Sequence, residues 1–179
     1  MPAMIAANAW VGTPPEVATA LIPFLIEPGS LTARLIDTGR RFSVSVRKQG
    51  AQALHPDEVQ ALSAAPGDLG YVREVTLHLT DTPVVVARSV TRLDCERWRE
   101  VLSRGARSLG FTLFGELTEV EREPLHYTLL DAAHPLYRSI AEHQTEPVPH
   151  YPARRSRFML DDTPLLVCEA FLPELLSLL

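Results

Sequence analysis

An α+β fold on one antiparallel sheet of about six strands follows from three features of the sequence. Residues 71–80 with 83–93, and 154–161 with 164–172, are strand-like runs that each close on a tight turn, so they read as two hairpins. Segments of helical spacing cluster before and between them. The regular strand-helix alternation that a parallel sheet requires is missing.

The elements follow in order along the chain. Thr13-Pro14-Pro15-Glu16 carries the signals of a helix start, and Val17, Leu21, Phe24 and Leu25 recur at helical spacing after it. Pro28-Gly29 breaks that helix. Ser30 caps a second one, with Leu31 and Leu35 one turn apart and Gly39 as its stop, which makes a helix-turn-helix unit. From Phe42 the period changes to two, with Val44 and Val46 on the same face. A short helix is expected over 56–64, then the first hairpin with Asp81-Thr82 at its turn, then a helix capped by Asp94 that lines up Cys95, Trp98, Val101 and Leu102. Residues 105–115 read as a glycine-containing loop, 117–129 as a strand, 135–142 as a short helix and 146–152 as a proline-rich loop. The second hairpin turns at Asp162-Thr163. Both turns precede a Thr-Pro-hydrophobic run, which hints at a short internal repeat.

Composition bounds what this chain can do. At 179 residues, 46% of them hydrophobic and 22% charged, it suits a single globular domain over 1–179. The net charge is -5 and Lys48 is the only lysine, so the basic footprint of a nucleic-acid partner is absent. Cys95 and Cys168 sit among apolar residues and read as buried thiols. No run reaches the ~18 to 20 apolar residues of a membrane span and no charged leader opens the chain, which implies a cytosolic protein without a membrane partner. Without a heptad or a long exposed apolar stripe, a monomer is expected.

Counting back from the turns gives a register. In the first hairpin it sets Val75 opposite Arg88 and Arg73 opposite Val90, so the two arginines share an apolar face with Leu77 and Leu79. Two desolvated guanidiniums need anions, supplied by a carboxylate-rich ligand or by internal acids. Arg88 by itself fits a structural role. In the second hairpin Glu169 falls opposite Ser156 on a face with Phe158, Leu165 and Val167, where either an internal salt bridge or a ligand would satisfy it. His126, His134, His143 and His150 lack metal-ligand spacing and read as surface residues, so no metal is expected. Nucleotide loops and the serine-hydrolase elbow are missing as well.

The same residues carry a family resemblance. Tyr-Val-Arg-Glu-Val-Thr-Leu at 71–77, Pro-Val-Val-Val-Ala-Arg-Ser-Val at 83–90, Ser-Leu-Gly-Phe-Thr-Leu-Phe at 108–114, Arg-Arg-Ser-Arg-Phe at 154–158 and Pro-Leu-Leu-Val-Cys-Glu-Ala-Phe-Leu-Pro at 164–173 together resemble chorismate pyruvate-lyase, and Gly-Ser-Leu-Thr at 29–32 fits too. The resemblance implies an antiparallel sheet with helix-turn-helix flaps over an enclosed site. It further implies removal of pyruvate from chorismate to leave 4-hydroxybenzoate, the ring precursor of ubiquinone, with no metal or organic cofactor. On this basis Arg73 binds the ring carboxylate with backbone amides of Leu31 and Leu109, Glu169 meets the ring hydroxyl, and Arg88 is a second anion contact. Two other readings stand beside it. One is a ligand-sensing module of the same fold, which would be expected to follow a DNA-binding domain for which the chain leaves no room. The other is a lyase for a related chorismate derivative.

Overall fold

The computed structural model describes residues 7–103 and 108–179. A 3₁₀ turn at Thr19–Leu21 leads into α1 (Ile22–Leu25), and α2 (Leu31–Ile36) follows on the Ser30 cap, whose side chain accepts the Ala33 N–H. Gly39 ends this unit at a φ of 78°, the left-handed corner that suits glycine. Residues 13–18, expected as the first helical turns, are not helical. Pro15 explains this, since its ring drives the preceding Pro14 into extended backbone.

The rest of the chain builds the sheet. In order come β1 (Phe42–Ala53), α3 (Pro56–Ala61), β2 (Leu69–Leu79), β3 (Thr82–Arg92), α4 (Glu96–Leu102), α5 (Leu109–Phe111), β4 (Glu121–Arg122), β5 (His126–Leu130), α6 (Pro135–Ala141), β6 (Tyr151–Leu160), β7 (Thr163–Phe171) and α7 (Glu174–Ser177). The seven strands run antiparallel in the order β1-β2-β3-β7-β6-β4, with β5 also on β6. The segment expected as a loop is helical from Leu109 on: α5 runs on into a wide π turn over Thr112–Glu116, while 105–107 lie outside the described residues. The single strand expected over 117–129 divides into β4 and β5 on either side of Pro124, which cannot donate to a ladder. Asp94 does not cap α4. Cys95 holds that position, and the Asp94 carboxylate takes the Arg92 Nε–H instead, at 3.0 Å.

Helices cover both faces of the sheet. On one, α1, α2 and α7 bury Leu25, Leu35 and Leu175 against Leu77 and Phe171, while Trp98 and Leu102 of α4 pack on Phe158 and Leu165. On the other, Leu136 and Ile140 of α6 meet Val86 and Ala170, and Leu62 beyond α3 joins Val72, Val90 and Leu166. Both cysteines are free and buried, as expected. Among the described residues no helix is long and apolar enough to cross a membrane.

Both hairpins turn one residue earlier than the counted turns. The corner residues are Thr80-Asp81 and Asp161-Asp162, all four at positive φ, as two-residue hairpin turns require. Thr82 and Thr163 cannot occupy such corners because each precedes a proline, which holds them extended. In the second hairpin the result is a shift of two, so Glu169 pairs with Arg154 instead of Ser156 and stays on its expected face. In the first, a bulge between Leu77 and His78 changes the shift to one: Arg73 pairs with Ser89 and Glu74 with Arg88. A one-residue slip exchanges faces, so Arg88 lies on the opposite side of the sheet from Arg73, contrary to the counted register.

Candidate active site

The face that keeps Arg73 and Glu169 forms the floor of a small cavity. Val75, Leu77, Ala87 and Val167 give it an aliphatic base, and Phe158 closes one side. The roof has two parts. Leu31 and Thr32 of α2 form one, and Ser108, Leu109, Gly110 and Leu113 form the other. They join through the buried pair Thr32 Oγ1 and Ser108 Oγ, 2.8 Å apart. Gly110 makes this junction possible, because a Cβ there would lie 2.8 Å from Thr32 Oγ1 and 2.9 Å from Ser30 Oγ. Leu31 and Leu109 are each the first residue of their helix, where backbone N–H groups have no partner within the helix. The expected residues Leu31, Arg73, Leu109 and Glu169 thus line one cavity.

Three guanidiniums and one carboxylate line this space among the described residues. Arg73 is buried, and burial pulls its pKa below the ordinary value. Arg154 donates from Nε to Glu169 Oε2 at 2.6 Å, and from Nη1 to the carbonyl oxygens of Phe24, Leu25 and Glu27 at 3.2, 3.3 and 2.6 Å. It therefore ties the site carboxylate to the C-terminal end of α1. Glu169 makes the salt bridge to an arginine that was one of its two readings, and it also lines the cavity. Arg122 donates from Nε to Ser156 Oγ at 3.0 Å and from Nη1 to the carbonyls of Pro28 and Gly29, in the turn between α1 and α2. Its guanidinium lies 5.2 Å from the ring centroids of both Phe114 and Phe158.

Arg88 is absent from this cavity. On the opposite face it donates to both oxygens of Glu58, from Nε at 2.5 Å and from Nη2 at 3.0 Å, and its Nη1 lies 3.5 Å from Glu74 Oε2. Burial works against its charge, but the bond to Glu58 and the charges of Glu58 and Glu74 prevail and raise its pKa. Arg122 and Arg154 take the cavity positions instead. Arg154 belongs to a block of the sequence whose alternation was readable, whereas Glu121-Arg122-Glu123 reads locally as an exposed charged stretch.

Behind the sheet, ligand atoms of His55, Asp57 and His134 lie within 4.8 Å of one another. His134 is buried, contrary to its expected surface position. Its Nδ1 accepts the Leu136 N–H at 3.0 Å, so the hydrogen-bond pattern assigns the proton to Nε2, 2.7 Å from Asp57 Oδ2. No lone pair remains on that ring for a metal, and the guanidiniums of Arg88 and Arg155 line the same small space. This is a closed hydrogen-bonded knot. Burial would raise the Asp57 pKa, but His134, Trp10 and Arg155 bring it down to about 2. Burial and the Arg88 charge push His55 down to about 3, so its ring is neutral near pH 7. Burial pushes the Cys168 thiol up, which leaves it inert beside this knot.

Both the sequence and the fold have known relatives. The sequence pattern of the family described as chorismate lyase matches residues 10–178. A protein of Albidiferax ferrireducens named "Probable chorismate pyruvate-lyase" is 42% identical over 151 residues, 80% of this chain and 76% of its own length. One of Azoarcus sp. with the same name is 39% identical over 182 residues, 96% of this chain and 94% of its own. Among solved structures, the effector domain of PhnF from Mycobacterium smegmatis superposes with a TM-score of 0.54 at 13% identity, over 82% of this chain and 90% of that one. The C-terminal domain of a histidine utilization repressor from Pseudomonas syringae gives a TM-score of 0.51 at 14% identity, over 75% and 93%. At such identities these two likenesses show a shared fold.

Proposed function

We propose, from the premise that the chain belongs to the chorismate lyase family, that it converts chorismate to 4-hydroxybenzoate and pyruvate and so supplies the ring precursor of ubiquinone. The observation that carries this reading is the meeting of Arg73 and Glu169 in one apolar cavity beneath two joined flaps. Chorismate is a dianion on a cyclohexadiene ring. It needs cations at its carboxylates and an apolar enclosure around its carbons, and Arg73 beside the aliphatic base of the cavity offers both.

In this reading Arg73 holds the ring carboxylate, assisted by the N–H groups of Leu31 and Leu109 at the edges of the two flaps. Glu169, held in place by Arg154, accepts the hydrogen bond of the ring hydroxyl. The carbon–oxygen bond to the side chain breaks and the hydroxyl-bearing ring carbon loses its proton. The departing enolpyruvyl group gains a proton at its methylene carbon and leaves as pyruvate. Aromatisation drives the step, so the protein contributes position, charge stabilisation and exclusion of water. No activated nucleophile is required.

Incubating the purified protein with chorismate tests the proposal. Equimolar 4-hydroxybenzoate and pyruvate are the expected outcome. Tight binding of 4-hydroxybenzoate with no turnover would replace it with the sensor reading. Turnover only of an analogue bearing an amine in place of the ring hydroxyl would make the protein a lyase for a related derivative.

A further inference from the structure

Chorismate has a second carboxylate, on the side chain that leaves, and the product lacks it. Arg88, the residue first expected to meet it, faces the other side of the sheet and is occupied by Glu58 and Glu74. Arg154 spends Nε on Glu169 and Nη1 on three backbone carbonyls. Arg122 is different. It lines the cavity, its hydrogen-bond partners are a hydroxyl and two carbonyls, and among the described residues no carboxylate lies within salt-bridge distance of it. Its Nη2 has no hydrogen-bond partner among the described residues; the same holds of Arg154 Nη2, but Arg154 already carries the Glu169 carboxylate, whereas Arg122 is flanked by the Phe114 and Phe158 rings. A half-buried cation so placed attracts an anion, because a guanidinium stays charged and neutral oxygens and ring faces offset its desolvation only in part.

We infer that Arg122 is a specificity-determining residue that binds the carboxylate of the enolpyruvyl group, and so separates the dianionic substrate from the monoanionic product. The inference rests on the lyase reading and refines it. Burial and the neighbouring Arg154 charge lower the Arg122 pKa, as expected of a cation whose counter-ion arrives with the ligand. Arg122 also grips the turn between α1 and α2, so the carboxylate it binds sits against the base of one flap.

The test compares a diacid with a monoacid on the same variants. Arg122→Gln and Arg122→Lys are assayed for kcat/KM with chorismate and titrated with 4-hydroxybenzoate by calorimetry. Thermal unfolding of each shows that it is folded. The expected result is a fall in kcat/KM of about 100-fold for Arg122→Gln and a smaller fall for Arg122→Lys, with 4-hydroxybenzoate affinity changed by about threefold or less. Should affinity for 4-hydroxybenzoate fall in parallel with kcat/KM, Arg122 is a strut of the whole cavity and the inference is overturned. Unchanged kcat/KM in both variants overturns it as well. If Arg122→Gln does not fold, Arg122→Lys decides, since only a selective loss on chorismate supports the assignment. Absence of turnover by the wild-type protein would instead remove the lyase reading itself.

Discussion

The two faces of the sheet bury arginines in nearly equal measure and treat them differently. Behind the sheet, Arg88 has Glu58 and Glu74, Arg47 approaches Glu74 at 3.4 Å, and Arg155 lies 3.9 Å from Asp57 and over the Trp10 ring. Almost every cation there has a carboxylate, and the knot is complete without a ligand. On the cavity face Glu169 is the one carboxylate that lines the site among the described residues, facing three guanidiniums. Buried charge alone therefore does not mark a site. Buried charge that the surrounding protein leaves partly uncompensated does, and it also names the sign of the ligand.

The sharpest way to break this comparison is to unbalance the closed face. Glu58→Gln leaves Arg88 buried with a weakened partner and should cost about 3 to 5 kcal/mol of stability, read by urea unfolding, with 4-hydroxybenzoate affinity of the folded protein unchanged. A loss of affinity without a loss of stability would reverse the roles of the two faces. On the open face Arg73→Ala should cost about 2 to 5 kcal/mol of 4-hydroxybenzoate binding by calorimetry, and much less in unfolding. Gly110→Ala forces a methyl group against Thr32 and Ser30, so about 1 to 3 kcal/mol of stability should go as the flaps part. Dissociation of 4-hydroxybenzoate measured by stopped flow should quicken in that variant.

The most gradual effect is a pH slope that belongs to the closed face. His55 is held neutral, with a pKa near 3 in the folded chain against an ordinary 6.5. Between those values the unfolded chain binds a proton that the folded one refuses, so the stability from this residue is full above 6.5 and falls as the pH drops towards 3. The slope is about 1.4 kcal/mol per pH unit at most. Below 3.8 Asp57 acts in the same direction, because its depressed pKa favours folding only while the unfolded carboxyl is ionised. His55→Gln should flatten the unfolding midpoint between pH 6.5 and 4. An unaltered slope would take His55 out of the knot.

Much of this was legible in the sequence, and the failures have specific causes. The Ser30 cap, the Gly39 stop and the two hairpins rest on local chemistry and stand where expected. Strand register does not rest on local chemistry alone. The prolines after Thr82 and Thr163 moved both turns, yet the face of Glu169 survived because a shift of two preserves alternation. Arg88 changed faces because a single bulge altered that parity, and nothing in the residues around Leu77 announces a bulge. Arg122 was invisible for another reason. It reaches the cavity only because the two-residue strand β4 lies across β6, with Arg122 opposite Phe158, and such a crossing leaves no periodic signature.

The arginines that hold the segment from Phe24 to Gly29 grip it by main-chain oxygens. Every residue type offers the same oxygen. The exposed Ile26 side chain can therefore be exchanged, by drift or by design, without unfastening the segment, whereas Phe24 and Leu25 are fixed by the core they fill. The attachment of this flap to the sheet is thereby independent of what the turn shows to solvent.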